Sequence, residues 1–191
     1  MKTTFKASLI LLVLVTAFTV TSCKSKKKKE AAVPAGEVLV NEYCSGPEFM
    51  SDKKTFRAHA VGESMDQQTA KNKALIEAKA QLASFVSTTI KATIDNYVKD
   101  VEHNKREDLE KKYEGLTREV INQKLSGIRQ ICDKVTKTPE GNYKGYTAIE
   151  LGADELVQAI NDRLTKEESL KVDYDYEKFK KTFEEEMSKM K

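Results

Sequence analysis

Hydrophobic residues fall along this chain in one continuous run and several periodic ones. The continuous run is Ala7 to Val20, ASLILLVLVTAFTV, with Lys2 and Lys6 before it. Residues 24–36, KSKKKKEAAVPAG, carry no apolar periodicity, and a lysine run with Pro34 and Gly36 is the composition of a linker. A short edge strand is expected over Glu37 to Val40, then an irregular stretch through Cys44-Ser45-Gly46-Pro47. From Lys54 to Val61 the pattern alternates, Phe56, Ala58 and Ala60 against Arg57 and His59, which is the period of a strand. Gly62 is expected to end it.

Ser64-Met65-Asp66-Gln67 has the form of a capping box, in which a serine accepts from a backbone N–H three residues on and a glutamine reaches back. A long helix is therefore expected from here. Its apolar stripe runs Ala70, Ala74, Ala78, Leu82, Val86, Ile90 and Ile94, with Leu75, Phe85, Tyr97 and Val101 on adjoining ridges. The alanines at its start would let it approach a sheet closely. His103-Asn104 is the expected break, and helical spacing resumes over 105–125 through Leu109, Tyr113, Leu116, Val120 and Leu125. Gly115 weakens that second helix by about 1 kcal/mol relative to alanine.

Two β-prone runs, Ile128 to Val135 and Tyr143 to Leu151, flank the turn-rich Thr138-Pro139-Glu140-Gly141-Asn142 and predict a hairpin. Gly152 ends the second run. Leu156, Val157, Ile160 and Leu164 mark a short helix, and Tyr176, Phe179, Phe183, Met187 and Met190 mark a terminal one. The predicted fold is α+β: strand, long helix, helix, β-hairpin, helix and an additional C-terminal helix, with a small antiparallel sheet covered by helices. The expected organisation is a leader over 1–22, a tether over 23–36, the α+β domain over 37–165 and the C-terminal amphipathic helix within 166–191.

Composition narrows the function classes. Lys and Arg number 33 against 30 for Asp and Glu over 191 residues, a balance without the domain-wide basic field that nucleic-acid binding uses. No nucleic-acid partner is expected. Hydrophobic residues make up 39% of the chain, and the first twenty positions hold many of them, so the core should be modest. There is no tryptophan, and seven tyrosines and seven phenylalanines supply the aromatic packing.

The run Ala7 to Val20 is shorter than the roughly 20 apolar residues a spanning helix needs to cross about 30 Å of hydrocarbon. It follows a positive n-region and precedes small residues and a cysteine, the order of an export signal. Val20-Thr21-Ser22-Cys23 resembles the lipobox of bacterial lipoproteins, with Val20 where the family prefers leucine. The resemblance implies cleavage between Ser22 and Cys23, a diacylglyceryl group on the Cys23 sulfur, and usually a further acyl chain such as palmitate on the new amino terminus. The competing readings are an uncleaved anchor and an ordinary secretory signal with a chance cysteine. Two acyl chains would anchor stably where one is marginal, at about 0.8 kcal/mol per buried methylene. Lys24 and Lys26 to Lys29 would then lie beside the headgroups, at about 1 kcal/mol each on an anionic surface, or form a solvated tether. The family's sorting rules, with Lys24 after the cysteine and no acidic cluster, imply the periplasmic leaflet of the outer membrane.

Phe56-Arg57-Ala58-His59-Ala60-Val61-Gly62-Glu63-Ser64, with the alanine-spaced helix Ala70 to Ala83 behind it, resembles the LPP-twenty-type lipoproteins of bacterial envelopes. The likeness covers residues 37–165 and implies the same α+β arrangement and an envelope role. It does not extend to the charged insertion at 99–125 or to the C-terminal helix.

Candidate chemistry is sparse. With Cys23 acylated, Cys44 and Cys132 remain as an even pair in a disulfide-permitting compartment. A bridge between them would tie the entry segment to the hairpin; the alternative is two buried free thiols too far apart to join. His59 and His103 are the only histidines, without Cys or Asp at ligand spacing, so no zinc or other metal is expected. No phosphate loop, nucleophile elbow or paired-histidine helix appears, and Ser45 beside Gly46 lacks the elbow's second glycine. No catalytic residue and no cofactor is expected. The stripe Tyr176, Phe179, Phe183 and Met187 has two readings: an adaptable face for an envelope partner, or a helix docked on its own domain. The functional expectation is a membrane-anchored, non-enzymatic structural or interaction module. A small periplasmic hydrolase or ligand-binding protein, with a pocket assembled around His59 and distant acidic residues, is the alternative.

Overall fold

Among the described residues three strands and four α-helices follow one another in the order β1 Thr55–Ser64, α1 Gln67–Tyr97, α2 His103–Ser126, β2 Arg129–Lys137, β3 Tyr143–Gly152, α3 Ala153–Leu164 and α4 Tyr176–Ser188. The structure is a computed structural model, and it describes residues 40–99, 103–170 and 174–190. The expected strand at Glu37 to Val40 lies outside the described residues except for Val40, which is exposed and irregular. The fold is α+β, as the periodicity predicts. The sheet has the order β1-β3-β2, with both neighbours antiparallel to β3.

β1 does not stop at Gly62. It runs on to Ser64, with Gly62 directly opposite Gly145 of β3. The reason lies above the sheet. A Cβ on Gly62 would stand 2.5 Å from Ala70 O and Ala74 N, and one on Gly145 would stand 2.8 Å from Lys71 N. The two glycines form a shallow trough that receives the backbone of α1, and Ala70, Ala74 and Ala78 are the fully buried helix side of the same contact. This is the close approach that the alanine spacing predicts.

The capping box is not formed either. Because the strand extends through Ser64, α1 starts later and Asp66 is its N-cap, its carboxylate accepting from Thr69 N at 2.8 Å and Thr69 Oγ1 at 2.7 Å. The capping Thr69 hydroxyl and amide hold the Asp66 carboxyl below its ordinary range.

Beyond Ala78 the buried residues of α1 enlarge to Leu82, Val86, Ile90, Ile94 and Tyr97, and the helix passes from the sheet to α2 and α4. Thr89 and Thr93 are buried on this stretch because each hydroxyl donates to the carbonyl four residues back, at 3.0 and 2.8 Å. An aromatic cluster closes the far end. Tyr97 meets Tyr113 of α2 edge-on at 5.7 Å and Phe179 of α4 at 5.5 Å, with Tyr174 beside them. Tyr97 Oη accepts from the backbone N–H of Asp175, the N-cap of α4, at 2.7 Å. Phe183 then reaches the sheet at Phe56, with ring centroids 6.3 Å apart. The described residues from Val40 onward form one compact unit, and α4 belongs to the same core as the elements before it.

Candidate functional site

The sheet has two faces with different fates. Phe56, Ala58, Ala60, Ile149 and Leu151 look toward the helices and are buried. Arg57, His59, Val61 and Glu63 look the other way, with Glu150, Ala148, Tyr146 and Lys144 beside them on β3. Among the described residues no helix covers this second face, and the entry segment, residues 40–54, is fastened across it.

The first fastening is covalent. Cys44 and Cys132 are joined, with sulfurs 2.03 Å and Cα atoms 5.7 Å apart, across 88 residues of sequence. Of the two readings open at the sequence level, the bridge is the one formed. Cys132 faces outward at a bulge, where β2 inserts one residue between Gln130 and Cys132 against β3. The bulge re-aims the strand locally. Cys44 has φ +60°, the left-handed region that side chains other than glycine enter at a cost of about 1–2 kcal/mol. Its neighbour Tyr43 stacks edge-on against Tyr146 at 5.4 Å.

The second fastening is ionic. Past the short turn Pro47–Phe49, Ser51 Oγ accepts from Arg57 N at 2.8 Å and donates to Arg57 O at 3.0 Å, so one hydroxyl closes the sheet edge there. The Arg57 guanidinium donates to Asp52 at 2.7 Å, to Met50 O at 3.0 Å and to Glu150 at 3.1 Å. Arg129 of β2 pairs with the other oxygen of Glu150. Asp52, Arg57, Glu150 and Arg129 thus alternate in charge from the entry segment across all three strands. The hydrogen bond from Arg129 and then that from Arg57 hold the Glu150 carboxyl below its ordinary range against the opposing effect of burial. The Lys54 backbone N–H and the Arg57 guanidinium do the same for Asp52. The hydrogen bond to Asp52 is the main cause of a raised Arg57. Alternation placed Arg57 outward in the sequence, but Ser51, Asp52, Glu150 and Arg129 carried no signal there, because only the strand register brings them together.

His59 is half-buried beside an open depression of about 300 Å³, walled by Phe49, Met50, Ser51, Gln81 and Phe85. Among the described residues that line it, none is acidic. A larger hollow of about 520 Å³ lies between α2 and α3, where Lys124 pairs with Glu155 at 2.7 Å and Arg163 with Glu119 at 3.2 Å. Among the described residues no group of three or more His, Cys, Asp or Glu is placed to hold a metal, and no helix is long and apolar enough to cross a membrane.

The partner-face reading of the C-terminal stripe is corrected by burial. Phe179, Phe183 and Met187 are fully enclosed in the core, and only Tyr176 stands at the rim, its hydroxyl 3.4 Å from Gln158 Oε1. The face is occupied because α4 packs along α1 and reaches Phe56 of the sheet through Phe183. Ser22 and Cys23 lie outside the described residues. Comparison with protein-family profiles, curated proteins and solved structures found no match to this chain.

Proposed function

We propose that this chain is a bacterial envelope lipoprotein of the LPP-twenty type, cut before Cys23, anchored by acyl chains on that cysteine, and acting as a non-enzymatic structural or interaction module. The observation that carries the reading is the ordered series of lysines, apolar run and Val20-Thr21-Ser22-Cys23. The disulfide supports it, because such bonds persist in exported proteins and are rare in the cytosol. Two of the three cysteines are joined to each other, and the third is the one in the lipobox. The anchor places the domain on the periplasmic leaflet of the outer membrane. Envelope lipid is its first partner, and an envelope protein is the class of the second.

The test is mass spectrometry of the amino-terminal peptide after expression in bacteria supplied with labelled palmitate. The expected peptide begins at Cys23 and carries a diacylglyceryl group, and Cys23→Ser loses the label and retains residues 1–22. A wild-type chain whose Cys23 is unmodified, or that keeps its first 22 residues, would overturn the reading.

A further inference from the structure

The outer edge of β1 is closed at both ends and open in the middle. Alternate residues of this strand point their main-chain groups away from β3. Arg57 N and O meet Ser51 Oγ, Thr55 O accepts from Asp52 N at 2.9 Å, and Glu63 O accepts from Lys73 Nζ at 3.0 Å. His59 and Val61 lie between them in the same phase, and among the described residues nothing pairs their outward N–H and C=O groups. A bare stretch of sheet edge is a template for another strand.

Large apolar side chains gather around that stretch and stay in water: Val61 is 37% exposed, Phe85 44%, Met50 54% and Met65 84%. Phe85 and Met50 wall the depression that opens beside Ala58 and His59. One row of α1 flanks the same edge. Lys73 lies over Gly62, and Gln81 and Phe85 lie beside Ala58 and His59; Glu77, four residues from both Lys73 and Gln81, completes the row.

We propose that this edge pairs with the same edge of a second copy of the chain, antiparallel about a two-fold axis through Val61. In this register Val61 faces the partner's Val61, and His59 faces the partner's Glu63. Each such pair exchanges two main-chain hydrogen bonds, which satisfies the bare groups of His59 and Val61. The imidazole and carboxylate stand opposite each other on one face, where cross-strand partners interact. Lys73 gives up Glu63 O and turns to the partner's Glu77, which the two-fold brings across from it. The same operation sets Phe85 and its depression against the partner's Met65, the most exposed large apolar side chain described.

Neighbouring two-fold registers fail on specific residues. Centred on Ala60, the axis would drive the partner's Glu63 onto Arg57, where Ser51 already holds the edge. Centred on Gly62, it would set the apolar Val61 against a glutamate. In the Val61 register the partner's strand ends at its Ser64, short of the Ser51 closure, because β1 itself ends there. The interface is isologous and closes on a dimer.

The test uses the full chain in bacterial envelopes and purified in mild detergent. Val61→Cys places two thiols about 5.5 Å apart at Cα, within disulfide reach, so mild oxidation is expected to give a covalent dimer on a non-reducing gel. Lys134→Cys, on the same sheet face but on β2, is expected to form no covalent dimer on that gel. Val61→Pro removes only an N–H that points away from β3, a place where an edge strand accepts proline. It is expected to leave the unfolding transition in place and halve the sedimenting protein mass. The proposal is overturned if Val61→Cys links no better than Lys134→Cys, if the wild-type chain sediments as a monomer, or if a folded Val61→Pro chain stays dimeric. Should Val61→Pro unfold, the two cysteine variants decide.

Discussion

Two glycines of this chain do opposite work. Gly62 sits where a methyl group would meet the backbone of α1 at 2.5 Å, whereas Gly115 sits on the exposed side of α2 with nothing within 4 Å of its missing Cβ. Gly62→Ala is expected to lower stability by at least about 1–3 kcal/mol, as overpacking does. Gly115→Ala is expected to raise it by about 0.5–1 kcal/mol, the backbone entropy a helical glycine loses. Urea unfolding midpoints moving in opposite directions would confirm the pair, and equal shifts would refute it. The same alanine substitution is thus decided by space that the sequence does not display. A glycine after a strand pattern looks like a terminator, and only the helix crossing above shows that it is a seat.

Charge at the residue scale follows register in the same way. Glu150 and Asp52 are held below their ordinary values, 4.5 and 3.8, in the folded chain. A depressed carboxyl contributes stability that is present above the ordinary value and lost as pH falls through the lower, folded one. Glu150→Gln is therefore expected to be less stable than the parent at neutral pH, with the difference shrinking below pH 4.5. Unfolding midpoints across that window measure it, and a gap independent of pH would exclude the ionic account. Asp52 is half-exposed, so its share is reduced by solvent screening.

At the scale of elements, α4 shows how an apolar stripe is assigned. Its period was legible in Tyr176, Phe179, Phe183 and Met187, and its destination was not, since docking inside and docking outside require the same stripe. The structure places Phe183 against Phe56 and Phe179 within the Tyr97 cluster. Phe183→Ala is expected to cost about 3–5 kcal/mol, the range for an emptied aromatic site. An outward-facing helix would lose almost nothing, so thermal unfolding of this variant separates the two. Helix ends were less legible than helix faces. The capping serine of the sequence pattern belongs to β1, and Asp66, inside the same four residues, takes the cap because strand pairing with β3 claims Ser64 first.

Across the whole molecule, the covalent tie between Cys44 and Cys132 binds the entry segment to the far edge of the sheet. Closing a loop of 88 residues removes chain entropy worth about 4–5 kcal/mol in the unfolded state. The double variant Cys44→Ser with Cys132→Ser is expected to unfold at a lower temperature by a corresponding margin, read by calorimetry under oxidising conditions. An unchanged transition would mean that Ser51, Asp52 and Arg57 hold the segment unaided. The sequence by itself determined the kinds of element and their order, because period and turn residues are local. The lysines, the apolar run and Val20-Thr21-Ser22-Cys23, on which the proposed anchor rests, are local in the same sense, because they stand close together along the chain. Tertiary structure decided the join between Cys44 and Cys132, the charged ladder through Arg57, the glycine trough under α1 and the burial of α4. Each of these sets residues side by side that are far apart along the chain, and the strand register and the helix crossing that do so arise only when the whole core packs.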